Sequence, residues 1–298
     1  MKKLIYLICL LVLNCMFFGC GPAAPRAGAP AVAVSILPLK YLVDRISGGD
    51  FDVTVIVPPG ASPETYEPEL RQMKEVAAAS AYFQVGLIDF EQAFAKSIKE
   101  NAPGKQMVNL SEGLDLLEGV CGHQHPHNHR AHGHGVDPHI WLSPIRIRSM
   151  ASGIGKVLTE IQPDSAEKYR INTAEFISSI DSIHNYNNLL FKNITHRDIL
   201  IYHPFLTYFA EDYGLVQVAI EQEGKEPSAG QLRGLIENIR EKKIDVLFYQ
   251  EGSYPHTVEA LVQEVGLKAV VLDPLAYDWE QNIKEITAQI RESLEYGR

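Results

Sequence analysis

Four side chains able to hold a divalent metal ion stand beside prolines in separate short loops. Glu64 lies in Pro58-Pro59-Gly60-Ala61-Ser62-Pro63-Glu64-Thr65-Tyr66-Glu67-Pro68, His139 in Asp137-Pro138-His139-Ile140-Trp141-Leu142-Ser143-Pro144, His203 in His203-Pro204, and Asp273 in Asp273-Pro274. Proline fixes its own φ and restricts the residue before it, so each loop presents its side chain with little backbone freedom. A preorganised site requires that stiffness. Neutral imidazole nitrogen together with anionic oxygen suits zinc, and suits manganese or ferrous iron less selectively, while two carboxylates offset the charge of the ion. A single His or Asp at the end of a strand is an ordinary hydrogen-bonding residue. The set of four is what points to a metal.

The elements that must position these loops are readable from periodicity. Short β-branched runs alternate with longer amphipathic ones, the pattern of an α/β chain with mostly parallel strands. Strands are expected at 31–36, 51–57, 82–85 and 107–110 in the first half, and at 199–202, 216–220, 246–249 and 269–272 in the second. Helices are expected at 68–79, 90–101, 231–243, 257–265 and 279–296. The candidate ligands then fall in strand-end loops, two from each half, and open α/β sheets bind ligands at the carboxyl ends of their strands. Between the halves the longest helical signal runs from about 165 to 190, with Asp164 as N-cap, Glu167 at the capping-box position and Phe176, Ile180, Ile183 and Leu190 along one face. At about 1.5 Å per residue such a helix is about 40 Å long, a rigid spine between two lobes. The expected organisation is an export segment 1–19, a flexible tether 20–31, a first lobe 32–163, a linking helix 164–192 and a second lobe 193–298.

The start of the chain carries a second kind of signal. Met1-Lys2-Lys3 precedes an apolar run over 4–18, shorter than the roughly 20 residues a membrane span needs but suited to a signal peptide. It ends in Phe17-Phe18-Gly19-Cys20, which resembles a bacterial lipobox with Phe17 where Leu is preferred, so Cys20 is expected to carry lipid and become the mature N-terminus. The Pro-, Ala- and Gly-rich stretch behind it suits a flexible tether. Cys9 and Cys15 leave with the export segment, so Cys121 stands alone in the body and no internal disulfide can form there. A net charge of −10 argues against nucleic acid as a partner.

The stretch 121–134 holds six of the eleven histidines, His123, His125, His127, His129, His132 and His134, among Gly and Pro and with no apolar period. It cannot build a packed core and reads as a metal-binding loop, weaker than a rigid pocket because ordering it costs entropy, or as a solvated loop of incidental affinity.

Taken together, these motifs resemble the metal-binding proteins of zinc and manganese ABC importers, a family that includes the zinc-binding ZnuA type and adhesin-like lipoproteins. The matching segments are the Pro59-Gly60 loop ending in Tyr66-Glu67-Pro68, Asp137-Pro138-His139-Ile140-Trp141-Leu142, His203 with Tyr208-Phe209 and Tyr213-Gly214-Leu215, Glu226-Pro227-Ser228 ahead of Leu232, Gln250-Glu251, and Leu272-Asp273-Pro274-Leu275. The resemblance implies two α/β lobes, each with a mostly parallel four-stranded sheet, joined by one long helix with the metal between them. It implies a monomeric, lipid-anchored protein of the periplasm or cell surface that delivers Zn2+ to a membrane permease, with no enzymatic activity. A histidine-rich insertion ahead of the Asp-Pro-His motif is typical of the zinc members. Where the family usually has His after the proline of the first loop, this chain has Glu64. The expected ligand set is therefore Glu64, His139, His203 and Asp273; the alternatives are water in place of Glu64, or Glu67 or Glu251 swinging in. The harder set shifts preference modestly toward Mn2+ or Fe2+. A metallohydrolase would need an open coordination position, with Glu64 as base, and no His-Glu-x-x-His helix is present to support it. An adhesive role has no sequence feature that demands it.

Overall fold

The computed structural model describes residues 28–102, 104–119, 135–221, 225–250 and 256–296. The export segment, Cys20, most of the tether, the histidine-rich stretch with Cys121, and Glu251 lie outside the described residues.

Two parallel four-stranded sheets are built to one plan. The first contains β1 (Ala31–Val34), β2 (Asp52–Val55), β3 (Ala81–Gln84) and β4 (Gln106–Asn109) in the order β2-β1-β3-β4. The second contains β5 (Asp198–Ile201), β6 (Val216–Ala219), β7 (Val246–Gln250) and β8 (Lys268–Leu272) in the order β6-β5-β7-β8. In both sheets the chain steps to one side of its first strand and then crosses to the other, which opens a crevice at the carboxyl ends of β1 and β3, and of β5 and β7. Val32, Ala33 and Val34 of the central β1 are fully buried, as a parallel strand covered on both faces must be.

The helices among the described residues are α1 (Leu37–Ser47), α2 (Leu70–Ala78), α3 (Asp89–Asn101), α4 (Pro144–Ile161), α5 (Ala166–Phe191), α6 (Thr207–Tyr213), α7 (Ala229–Glu241), α8 (His256–Val265) and α9 (Trp279–Tyr296). Three of them, α1, α4 and α6, are additional to the sequence expectation. Helix α1 starts at Leu37 with Pro38 in its first turn, where the fixed φ of proline suits it, and stops at Gly48 in the left-handed region at φ 65°, its N–H bonded to the Asp44 carbonyl at 2.9 Å. Helix α5 is the expected spine, but its start differs. Pro163–Ser165 forms a 3-10 turn, so the helix begins at Ala166 and Asp164 does not cap it. Glu167 instead holds the Arg170 guanidinium, at 2.6 and 2.8 Å.

The spine buries Tyr169, Phe176, Ile180, Ile183, Asn187 and Phe191. One hydrophobic core runs without a break from the first sheet (Val34, Phe83) through the spine (Phe176, Ile180) into the second (Ile201, Phe248). A smaller cluster, with Leu200, Ile236, Leu247 and Leu261, packs behind the second sheet. Two indoles tie the halves across this core. Trp141 Nε1 donates to the Pro274 carbonyl and Trp279 Nε1 to the Trp141 carbonyl, both at 2.7 Å. Beside them Glu280 accepts from Tyr41 at 2.5 Å and Arg45 at 3.0 Å, both in α1, and from Ser179 of the spine.

Candidate metal centre

Each histidine is held by a partner that fixes its ring. His203 leaves the end of β5, 15 % exposed, with Nδ1 3.2 Å from Glu221 Oε2. That partner follows from sheet register. Strands β5 and β6 pair with an offset of 18, as in Ile201↔Ala219, and the same offset carries 203 to 221. His139 opens the 3-10 turn Ile140–Leu142 and is 6 % exposed. Asp137 Oδ1 accepts from its backbone N–H at 2.8 Å and lies 2.9 Å from its Nδ1. In both residues the partner on Nδ1 leaves Nε2 facing the centre.

Glu64 comes in from the loop between β2 and α2. The base of this loop is held by Gln72, which donates to the Ile56 carbonyl at 2.5 Å and accepts from Tyr66 Oη and the Glu69 N–H, each at 2.8 Å. Glu64 itself stands on the outer part, 36 % exposed, with Oε1 3.1 Å from His203 Nε2 and 3.8 Å from His139 Nε2. One donor atom from each of Glu64, His139 and His203 fits within 4.8 Å of the others. Donors on one tetrahedral zinc at about 2.0 Å stand about 3.3 Å apart, and the two Glu64 distances bracket that value.

The electrostatics are those of an acidic cradle. Burial alone would push the Glu64 carboxyl up, but the hydrogen bond and charge of His203, with His139 behind it, outweigh burial and hold it below the ordinary carboxylate value. Burial would likewise lower His203, yet its bonds to Glu221 and Glu64 push it up to about 9. Asp137, mostly buried, is nonetheless held low by the charge of His139 and its hydrogen bonds to His139 and Thr207. A dication would take the place of the proton that His203 now shares.

Asp273 is outside the group of three. Its Oδ1 accepts the Leu275 N–H at 2.8 Å, and it lines a cavity of about 480 Å³ together with Pro58, Pro59, Gly60 and Ala61 of the Glu64 loop and Gln250 of β7. Glu67 is exposed and also stands outside the group. Trp141 is buried against His139, ring centroids 5.1 Å apart. Asp137 precedes His139 by two residues in the Asp-Pro-His motif, but its role as the partner of the ring emerges only from the structure, as do those of Glu221, Thr207 and Gln217.

A family model described as the zinc-uptake complex component A, periplasmic, ZnuA, matches residues 32–293. The zinc-binding protein AdcA of Streptococcus pyogenes serotype M3 is 26 % identical over 272 residues, 86 % of this chain and 52 % of that protein. The zinc-binding lipoprotein AdcA of Streptococcus pneumoniae strain R6 is 25 % identical over 95 % of this chain and 57 % of its own length. The chain thus spans about half the length of these curated relatives. Among solved structures, a ZnuA crystal structure superposes with a TM-score of 0.81 at 34 % identity, covering 89 % of this chain and 99 % of that one. A zinc-bound ZnuA deletion mutant gives 0.80 at 33 %, covering 89 % and 98 %.

Proposed function

The chain belongs to the ZnuA family of periplasmic zinc-uptake components, and from that premise we propose that it captures one Zn2+ ion and delivers it to the membrane permease of an ABC importer. The observation that carries this reading is the convergence of Glu64, His139 and His203, from loops of both lobes, with donor atoms within 4.8 Å of one another. The zinc-binding relatives and the zinc-bound structural neighbour support the choice of ion. The carboxylate at Glu64 favours a second cargo, Mn2+ or Fe2+, over what a third imidazole would allow. Asp273 is the fourth ligand in this proposal, reached as the ion draws the Glu64 loop and the β8 end together across the cavity they share; until then water completes the shell.

The protein works as a monomer outside the cytoplasm, held to a membrane by lipid on Cys20, a placement that the lipoprotein relative supports. The family is one of transport components, and the fitted chemistry is capture and release of an ion without turnover. The histidine-rich stretch 121–134 serves as a collector, and the described residues on either side of it meet next to His139: Gly119 N–H donates to the Gly135 carbonyl and Asp137 N–H to the Leu117 carbonyl at 3.0 Å. The test is competitive binding of zinc, manganese and ferrous iron to the mature protein with and without residues 121–134. One tightly bound zinc per chain, lost in both His139→Ala and His203→Ala, is the expected result. Retention of that ion in both variants would overturn the reading.

A further inference from the structure

His139 belongs to the first lobe, yet the group that orients it is itself oriented from the second. Asp137 Oδ1 accepts the His139 backbone N–H at 2.8 Å and lies 2.9 Å from its Nδ1, and the other Asp137 oxygen accepts from Thr207 Oγ1 at 2.6 Å. Thr207 opens α6, four residues after His203. Its hydroxyl also accepts from Gln217 Nε2 at 2.9 Å, and Gln217 Oε1 in turn accepts the Leu206 backbone N–H at 2.7 Å.

The direction of every proton in this chain follows from its first member. A backbone N–H can only donate, so the Gln217 atom that meets Leu206 is the oxygen and the atom that meets Thr207 is the nitrogen. The Asp137 oxygen at 2.6 Å can only accept, so the Thr207 proton goes to it rather than to the Pro204 carbonyl at 3.3 Å. The Asp137 carboxylate is then an acceptor on both oxygens, which demands a proton on His139 Nδ1 and leaves the lone pair on Nε2, the nitrogen that faces Glu64.

We propose that Thr207 and Gln217 are positioning residues for metal capture, a relay by which the second lobe fixes the tautomer of the first lobe's histidine. The proposal rests on the capture reading given above and concerns how that site is prepared before the ion arrives. A ligating imidazole oriented through its other nitrogen is a better ligand, and losing such a partner typically costs about 10- to 100-fold in metal affinity. The relay is separable from the scaffold, because the Asp137 backbone is held independently. Tyr208 Oη donates to its carbonyl at 2.8 Å and accepts from Leu117 N–H at 3.2 Å, and Leu117 O receives the Asp137 N–H at 3.0 Å. Removing the Thr207 hydroxyl therefore frees the carboxylate without freeing the loop.

Three variants test it. Thr207→Val keeps the side-chain shape and deletes the hydroxyl, Thr207→Ser restores it, and Gln217→Glu keeps the shape of residue 217 while setting a second carboxylate to compete for the Thr207 proton. Zinc affinity is read by competition with a chelator, and the His139 tautomer by long-range proton–nitrogen NMR of the metal-free protein at pH 8. Expected are affinities about tenfold weaker for Thr207→Val and Gln217→Glu, wild-type affinity for Thr207→Ser, and a growing population of the Nε2–H form of His139 in the two weak variants only. Affinities within twofold of wild type, an unchanged tautomer in the weak variants, or a Thr207→Ser as weak as Thr207→Val would each overturn the relay. His139→Ala and His203→Ala, run alongside, separate the two ideas: stoichiometric zinc retained in both overturns capture at this site, whatever the tautomer of His139 does in the Thr207 and Gln217 variants.

Discussion

His139 and Glu64 approach to 3.8 Å, yet they are held by opposite means. His139 is buried, its Nδ1 and backbone N–H are engaged by Asp137, and Asp137 is gripped by Thr207 and Tyr208 of the other lobe. Glu64 stands on an exposed loop whose outer part is held by two turn bonds, Ala61 N–H to the Pro58 carbonyl and Thr65 N–H to the Ser62 carbonyl. The cavity behind Pro58 to Ala61 leaves that loop room to move, whereas the indole bonds of Trp141 and Trp279 leave the lobes little. The contrast teaches that capture needs a fixed floor, and release needs one movable ligand.

The sharpest way to break this comparison is to remove one ligand from each side. His139→Ala removes a preorganised nitrogen and is expected to weaken zinc binding by more than about 100-fold, beyond the loss of an outer partner alone. Glu64→Gln is expected to cost about tenfold, because water refills an exposed position and exposed charges interact weakly. Competition with a chelator at fixed pH measures both. Equal losses would make Glu64 as much a part of the floor as His139.

The pH dependence of capture sharpens the same contrast. His203 is pushed up to about 9 by Glu221 and Glu64 against the effect of burial. At neutral pH it therefore carries a proton that the ion must expel, so binding releases about one proton and affinity falls about tenfold per unit as pH drops below about 9. Glu64, held below the ordinary carboxylate value, stays ionised through that window. Glu64→Gln removes one of the two groups that raise His203, so the slope between pH 7 and 8, taken from competition titrations, should become shallower. An unchanged slope would mean that Glu221 alone sets the His203 proton.

Much of this asymmetry is invisible in the amino-acid sequence, for physical reasons that differ by residue. The eight strands among the described residues are legible as short apolar runs, β-branched in β1, β5 and β8 and aromatic in β3, and the spine because Phe176, Ile180 and Ile183 recur on one face. Helix α4 is readable in principle, since Ile147, Met150, Ala151, Ile154 and Leu158 have helical spacing behind a Ser143-Pro144 start. Helix α6 is not, since Tyr208, Phe209 and Ala210 are buried in succession and leave no period to read. Glu64, His139 and His203 are legible as polar loop residues beside proline. Their supports are not, because Thr207 meets Asp137 across 70 positions of chain and only the folded lobe boundary brings them together. The gap between Asp273 and the other three is likewise set by loop packing and not by residue type.

The lobe boundary and the Glu64 loop should also differ in what they contribute to stability. Trp279→Phe deletes a buried donor to the Trp141 carbonyl and part of the packing against Phe176, whose ring centroid lies 6.3 Å from that of Trp279. The expected cost is about 1–3 kcal/mol in urea unfolding of the metal-free protein. Leu70→Ser, at a residue 68 % exposed beside the Glu64 loop, should change stability by no more than about 0.5 kcal/mol. If the two variants destabilise equally, the loop is as much a part of the core as the boundary.

The smallest expected effect is also the most local, and it concerns where zinc changes protection from hydrogen exchange. Backbone amides that are exposed and held only by turn bonds open easily, while those in a buried network open rarely. Around His139, Asp137 N–H meets Leu117 O at 3.0 Å, Ile140 N–H meets Pro138 O at 2.8 Å and Leu142 N–H meets His139 O at 3.2 Å, all inside the buried boundary. Those amides should exchange slowly in the metal-free protein and gain little from zinc. The Glu64 and Thr65 amides should exchange fast without metal and slow markedly with it, because ligation by Glu64 ties the outer part of the loop to two histidines that are already fixed. A comparable gain at both places would mean that the lobes themselves close on the ion, and that the bonds of Trp141 and Trp279 seen here belong to one of two arrangements.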